Sequence, residues 1–342
     1  MKTRVLKTRA LKIRALKIRA LKIRALKILL ILLLVLPGAA NAQEWPAKPV
    51  RMVVPYAAGG LPDTMTRILG VRLGEAIGQQ VVVENRGGAG GISGSEAVAK
   101  SAPDGYTLLV ADVGQVAINP HLYANLPYDP LKDLVAVTLL GTTSLFMVAH
   151  PGVPATSFAE LVALARSRPG QLNYGSSGAG SIHHLATEAF KSALKLDIVH
   201  VPYKGMGQAV PALLGGQVSI LFSALPAIES HVKAGKLKLL AISTPKRSPQ
   251  APEVPTVAEL GIPGYDFGPE IGVLAPAGTP QALVARISVE IAKTVKSPEV
   301  AQRYSQLGIE AVGSTPEGYS AMIRAAYERY ARVVKTSGAK AE

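Results

Sequence analysis

The chain has 342 residues, with 37 Lys and Arg against 23 Asp and Glu, a net charge of +14. Lys2, Arg4, Lys7, Arg9, Lys12, Arg14, Lys17, Arg19, Lys22, Arg24 and Lys27 supply most of that excess, and residues 1–42 contain no acid. The remaining 300 residues are left near +3, which with no aromatic-interleaved basic patch makes no case for nucleic-acid binding. There is no cysteine, so disulfides, thiol nucleophiles and Cys-based metal sites are excluded. The body is long enough for two lobes with their own cores.

The N-terminus repeats Arg-Ala-Leu-Lys-Ile from Arg9, Arg14, Arg19 and Arg24. At about 100° per residue, a five-residue period would spread the cations around a helix, so this is a poor amphipathic helix. The apolar run Ile28–Leu36 and the tripeptide Ala40-Asn41-Ala42 complete the pattern of a secretory signal peptide, with cleavage expected after Ala42. The run is too short to span a bilayer.

Beyond the leader, strands and helices alternate. Strands are expected at Val50–Val54, Val81–Glu84 and Tyr106–Ala111. A helix is expected at Pro62–Ile77, with its apolar stripe and Gly78 as its stop, and a shorter one near Ser95–Ser101. The βα repeat implies α/β lobes with mostly parallel sheets flanked by helices. Two segments resemble each other. Leu145–Ala149 and Gly272–Ala275 each lead through a Pro-rich turn into a helix, Ser157–Ser167 and Gln281–Val295 respectively. Taken as two crossings, they divide the body into lobe 1, residues 43–146 plus 271–342, and lobe 2, residues 147–270. Lobe 2 is expected to hold strands at Gln171–Tyr174, Ile198–Val201, Val218–Phe222 and Leu237–Ile242, and helices near 182–194, 206–214 and 226–234. Pro211 is expected in a first helical turn. The last helix is read as Pro316–Val334, with a fraying tail.

Four strand exits could carry chemistry. In Tyr56-Ala57-Ala58-Gly59-Gly60-Leu61-Pro62-Asp63, glycines and a helix start offer backbone N–H groups to an anion; the alternative is an ordinary turn with Asp63 as a first-turn acid. In Gly175-Ser176-Ser177-Gly178-Ala179-Gly180-Ser181, Ser181 suits an N-cap and Ser176 and Ser177 can donate to a carboxylate. His184 and Glu188 stand four apart, but two ligands without a third do not make a metal site. At Tyr203-Lys204, Lys204 is either a surface lysine or a cleft charge. Asp112 follows the strand at 106–111, where ligands of open α/β sheets sit. The Gly-rich stretch 87–94 lacks the dinucleotide spacing, because Ser93 stands at the last glycine position, and no nucleophile elbow or phosphate loop occurs.

These loops, in this order, resemble the Bug-type (Bordetella uptake gene) family, the extracytoplasmic substrate-binding proteins of tripartite tricarboxylate transporters. The resemblance spans residues 45–335. It rests on Val54-Pro55-Tyr56-Ala57-Ala58-Gly59-Gly60 with Asp63 and Arg67, on Val82–Arg86 with Gly88–Gly91, and on Pro103–Leu109 and Leu126–Pro130. Gly178-x-Gly180-Ser181-x-x-His184-Leu185, His200–Gly205 and Leu274–Pro280 complete it. It implies a two-lobed periplasmic binding fold that grips a small organic carboxylate between the lobes, largely through backbone N–H and hydroxyl groups, and delivers it to membrane subunits. No cofactor or metal and a monomeric state are expected. Tyr56, Ala57, Ala58, Gly59 and Asp63 match the first loop; Ser177, Gly178, Gly180 and Ser181 match the second.

Thr66 departs mildly from the family pattern, standing where Ala usually precedes the arginine, and Val113 and Gln115 replace the small hydroxyl residues expected after Asp112. Glu270 stands where the family usually has Trp; facing the cleft, it would favour a ligand with a cationic or hydrogen-donating end. Two other functions fit the residues less well: a ligand-loaded sensor docking on a receptor, and a hydrolase using Ser177 and His184, for which no third acid is evident.

Overall fold

The computed structural model describes residues 45–340, together with Arg19, Leu21, Lys22 and Arg24, which are helical. The apolar run Ile28–Leu36 and the cleavage expected after Ala42 lie outside the described residues. The described residues from 45 onward form one compact unit.

The βα repeat builds the first sheet. Strand β1 (Val50–Val54) is buried at four of five positions. Helix α1 (Leu61–Ile77) starts on Gly60, with Pro62 in its first turn, and stops at left-handed Gly78. Strand β2 (Val81–Asn85), a short helix α2 (Ile92–Ala99) and strand β3 (Thr107–Ala111) follow. A π-helical turn, Gly114–Ile118, then runs into the short helix α3, Asn119–Leu122. Neither was expected from sequence, nor was the ten-residue strand β4 (Leu134–Thr143).

One residue, Ser144, separates β4 from β5 (Leu145–Ala149), which belongs to a second sheet. That sheet adds β6 (Asn173–Ser176), β7 (Val199–Pro202), β8 (Ile220–Ala224) and β9 (Lys238–Ile242). Helices α4 (Phe158–Ser167), α5 (Ile182–Leu194), α6 (Met206–Leu214) and α7 (Glu229–Lys233) accompany it. Residues 243–269, without regular structure apart from one isolated bridge at Thr256, lead back to β10 (Glu270–Pro276) in the first sheet. Helices α8 (Gln281–Val295) and α9 (Pro298–Gln306), strand β11 (Ile309–Ala311) and helix α10 (Pro316–Ser337) complete the chain.

The first sheet has the order β11-β4-β10-β3-β1-β2 and the second β7-β6-β8-β5-β9. Among the named strands, parallel pairing is confined to the βα repeats: β1 with β2 and β3, and β6 with β7 and β8. The crossing strands are antiparallel. β10 opposes β3 and β4, β11 opposes β4, and β5 opposes β8 and β9. The sheets are therefore mixed where mostly parallel ones were expected. A strand that enters a sheet from the gap between the two, as β5 and β10 do, starts there and so runs against the strands that end there. The two crossings are tied by a hydrogen bond between the hydroxyls of Ser144 and Thr244, 2.9 Å apart.

Side-chain caps fix three helix starts: Ser157 accepts from Glu160 N, Ser181 from His184 N, and Thr315 from Gly318 N. Pro211 is corrected to the sixth residue of α6, because that helix begins at Met206 on Gly205. Helix α10 runs on through Ser337 to left-handed Gly338, where a fraying tail was expected. Its buried residues Tyr319, Ile323, Ala326 and Tyr330 follow helical spacing, and it packs against both β4 and α5.

Candidate functional site

The exits of β1 and β3 in one lobe meet those of β6, β7 and β8 in the other. A small cavity of about 20 Å³ lies between them, walled by residues of both lobes, with room for about one water. Of the residues singled out from sequence, Tyr56, Gly60, Asp112 and Ser177 stand in this wall. Leu61 and Pro62 at the start of α1, Met206 at the start of α6, and Ala224, Pro226, Ala227 and Pro269 give it an apolar portion. Helices α1 and α6 both begin on glycines, Gly60 and Gly205, with no side chain capping them. First-turn N–H groups without an intrahelical partner therefore come to the cavity carrying partial positive charge. No Lys or Arg lies in the wall.

Most other expected residues stand behind the wall and shape it. Asp63, 4% exposed, accepts from Gly59 N at 2.9 Å, Arg67 Nε at 3.0 Å and Asn85 Nδ2 at 3.0 Å. Asn85 Nδ2 also reaches Tyr56 O at 3.2 Å. Asp63 thus holds the first loop from within, and the Gly59 amide expected to face a ligand is already bonded. Ala57 N donates to Lys204 O at 3.0 Å, joining the first loop to the segment after β7. Lys204 acts there through its backbone, and its side chain is exposed. The Ala58 carbonyl lies against Gly207 of α6. Tyr203 N bonds Ser176 O at 3.1 Å.

The second loop is tied in the same way. Ser176 Oγ lies 2.7 Å from His200 Nε2 and accepts from Gly178 N at 3.0 Å. Gly180 N donates to His184 Nδ1 at 3.2 Å. The His184 ring stacks on His200 at 4.2 Å between centroids, and His200 stacks on Tyr174 at 4.7 Å. His184 is thus a buried prop beneath the loop. Glu188, its suggested metal partner, bonds Tyr174 OH and Lys191 instead. No group of three His, Asp or Glu side chains is arranged to hold a metal among the described residues.

The wall contains residues that the sequence did not single out as ligand contacts. His183, one position before His184, lines the cavity with its Nδ1 2.8 Å from Ser177 Oγ. Burial pushes His183 down to about 4, so the imidazole is neutral near pH 7. Among the described residues no carboxylate meets its ring, so the Ser–His pair lacks the third member of a hydrolytic triad. Ser223, at the end of β8, also stands in the wall. Gln115 braces it from behind. Its Nε2 donates to Tyr56 OH at 2.7 Å and to Gly90 O at 3.0 Å, and its Oε1 accepts from Asp112 N at 3.1 Å.

Glu270 is placed elsewhere. It lines a separate groove of about 790 Å³, which Thr244 and Glu310 also border, and it pairs with Arg329 at 3.2 Å. Negative charge at the ligand cavity comes from Asp112, not from Glu270. Glu270→Gln is accordingly expected to leave ligand affinity within about twofold while lowering unfolding stability by about 1 kcal/mol, the scale of a partly exposed ion pair. Calorimetric titration beside thermal unfolding checks this; a tenfold loss of affinity would return Glu270 to the ligand site.

Two α/β lobes joined by extended crossings, with a cavity walled from both, define a bilobal solute-binding protein. The profile described as tripartite tricarboxylate transporter family receptor matches residues 65–339, and the chain belongs to that family. It is 38% identical over 301 residues to protein BugT of Bordetella pertussis, covering 88% of this chain and 92% of that protein. Among solved structures, R. palustris Rpa4515 with adipate aligns at a TM-score of 0.83 and 35% identity, covering 86% of this chain and 99% of that one. MatC from Rhodopseudomonas palustris with bound malate aligns at 0.82 and 31%, covering 85% and 100%.

Proposed function

We propose that this protein captures a small organic carboxylate between the lobes, which part at the hinge to enlarge the cavity around it, and hands it to the membrane subunits of a tripartite transporter. The carrying observation is a wall that brings two uncapped helix starts and the hydroxyls of Ser177 and Ser223 together without a Lys or Arg. Such a wall suits an anion held by N–H and O–H donors. Adipate and malate in the two related structures support the ligand class. The lobe borders on this reading move from the expected 146 and 270 to Ser144, where β4 gives way to β5, and to the start of β10 at Glu270, with the hinge at Ser144 and the return segment. On this reading the chain is exported to the periplasm, residues 1–42 are removed, and the mature protein works as a monomer that binds and releases without chemistry.

Native mass spectrometry of protein purified from its periplasm tests the proposal. A co-purifying organic acid, displaced by carboxylates in a titration, is the expected result. A ligand without a carboxylate would overturn it.

A further inference from the structure

Asp112 is buried in the cavity wall at 3% exposure, and no Lys or Arg among the described residues pairs with it. Its surroundings are built for a carboxylate. Oδ1 accepts from Gly114 N at 2.7 Å and from Tyr56 OH at 3.1 Å. Oδ2 has only the same Tyr56 hydroxyl, at 3.2 Å. Because Gln115 Nε2 donates to the Tyr56 oxygen, the single phenolic proton is left to point at Asp112. One proton shared between two oxygens leaves Oδ2 with unused acceptor capacity. The other titratable groups near it supply no counter-charge. His183 is pushed down to about 4 by burial, while burial pushes Tyr56 up and raises Tyr128 to about 12. Asp112 itself is raised to about 6, again chiefly by burial. Near neutral pH the wall therefore carries one negative charge and no positive one.

An unpaired carboxylate is costly to bury, and the cost is met when a cation arrives beside it. A second carboxylate on the ligand would meet a like charge here and would have to bring a proton. A ligand hydroxyl would satisfy Oδ2 as a donor but would leave the charge uncompensated. An ammonium group does both.

Resting on the reading of the cavity as a carboxylate site, we infer that its ligand is a zwitterion, with its carboxylate at the helix starts and its ammonium group at Asp112.

The test is calorimetric titration of the mature chain at pH 7.5 with matched pairs: glutamate and glutarate, 4-aminobutyrate and butyrate, phenylalanine and 3-phenylpropanoate. In the pair whose skeleton fits, the amine-bearing member is expected to bind at least tenfold tighter, with little proton exchange across buffers of different ionisation enthalpy. Asp112→Asn, which keeps an oxygen for Gly114 N, is expected to weaken that member at least tenfold and to leave its amine-free partner unchanged or tighter. Tightest binding by an amine-free member, or a preference that survives Asp112→Asn, overturns the inference and leaves the carboxylate reading standing. Failure of every member to bind counts against both. The wild-type comparison holds whether or not the variant folds.

Discussion

Gly207→Ala is expected to weaken ligand binding by a hundredfold or more while leaving the unfolding midpoint unchanged or slightly higher. A Cβ at Gly207 would lie 1.8 Å from the Ala58 carbonyl oxygen and 3.7 Å from Gly59 Cα. The obstacle is backbone, so no side-chain rotation relieves it, and the loop after β1 must withdraw from the start of α6. That withdrawal separates the lobes at the place where Ala57 N and Lys204 O bond. Gly207 is the second residue of α6 and does not adopt a positive φ, so alanine suits its backbone, and helix propensity favours it by about 1 kcal/mol. The substitution thus acts on closure and spares folding. Titration with the cognate ligand and the radius of gyration from X-ray scattering check it: lost affinity with a larger radius is the expected pair. Unchanged affinity would show that this contact is absent from the ligand-bound state.

Asp63→Ala should act on stability and affinity together. Its carboxylate collects bonds from Gly59 N, Arg67 Nε and Asn85 Nδ2, and of those atoms only Asn85 Nδ2 has a second acceptor, Tyr56 O, once it is removed. Loss of a charged acceptor from such a cluster costs about 2–3 kcal/mol. The first loop would lose its internal brace, so ligand affinity should fall about tenfold or more. Burial alone would raise the Asp63 pKa, but the bonds from Arg67, Gly59 N–H and Asn85 outweigh it and hold the group below the ordinary carboxylate range. A depressed folded value stabilises the protein above the unfolded pKa of about 4, and that contribution is lost as pH falls through the folded one. Denaturant titrations should therefore separate wild type from Asp63→Ala at pH 7 and bring the two together in strong acid. A constant gap across that range would mean that Asp63 acts through packing and not through its charge.

Much of the scaffold was legible because its signals are local. β1, α5, α6 and α8 begin beside a proline, a glycine or a capping serine. β4 was missed because Leu134–Leu140 is almost uniformly apolar. It is buried on both faces between β10 and β11 and shows no alternation to read. The π-helical turn after Asp112 left no periodic trace either.

In the candidate site, the strand exits name Tyr56, Asp112 and Ser177, and all three stand in the cavity wall. Two assignments turned on a single residue. His183 and His184 are neighbours on one helix, and only packing decides which meets the cavity. Pro269 and Glu270 enter a strand in succession, and it is Pro269 that reaches the cavity while Glu270 turns to Arg329. Period-two and period-3.6 patterns set such faces only relative to a core whose position the sequence does not state.

The internal bonding of both loops has a consequence for how selective this protein can be. Gly59 N, Gly178 N and Gly180 N are all committed to the protein's own side chains. The glycine turns are therefore rigid before any solute arrives, and the entropy of ordering them is lost during folding and not at capture. Preorganisation of this kind leaves discrimination to the few groups with bonding capacity to spare, so a single substitution at Asp112 could redirect the protein to a different solute without rebuilding either loop.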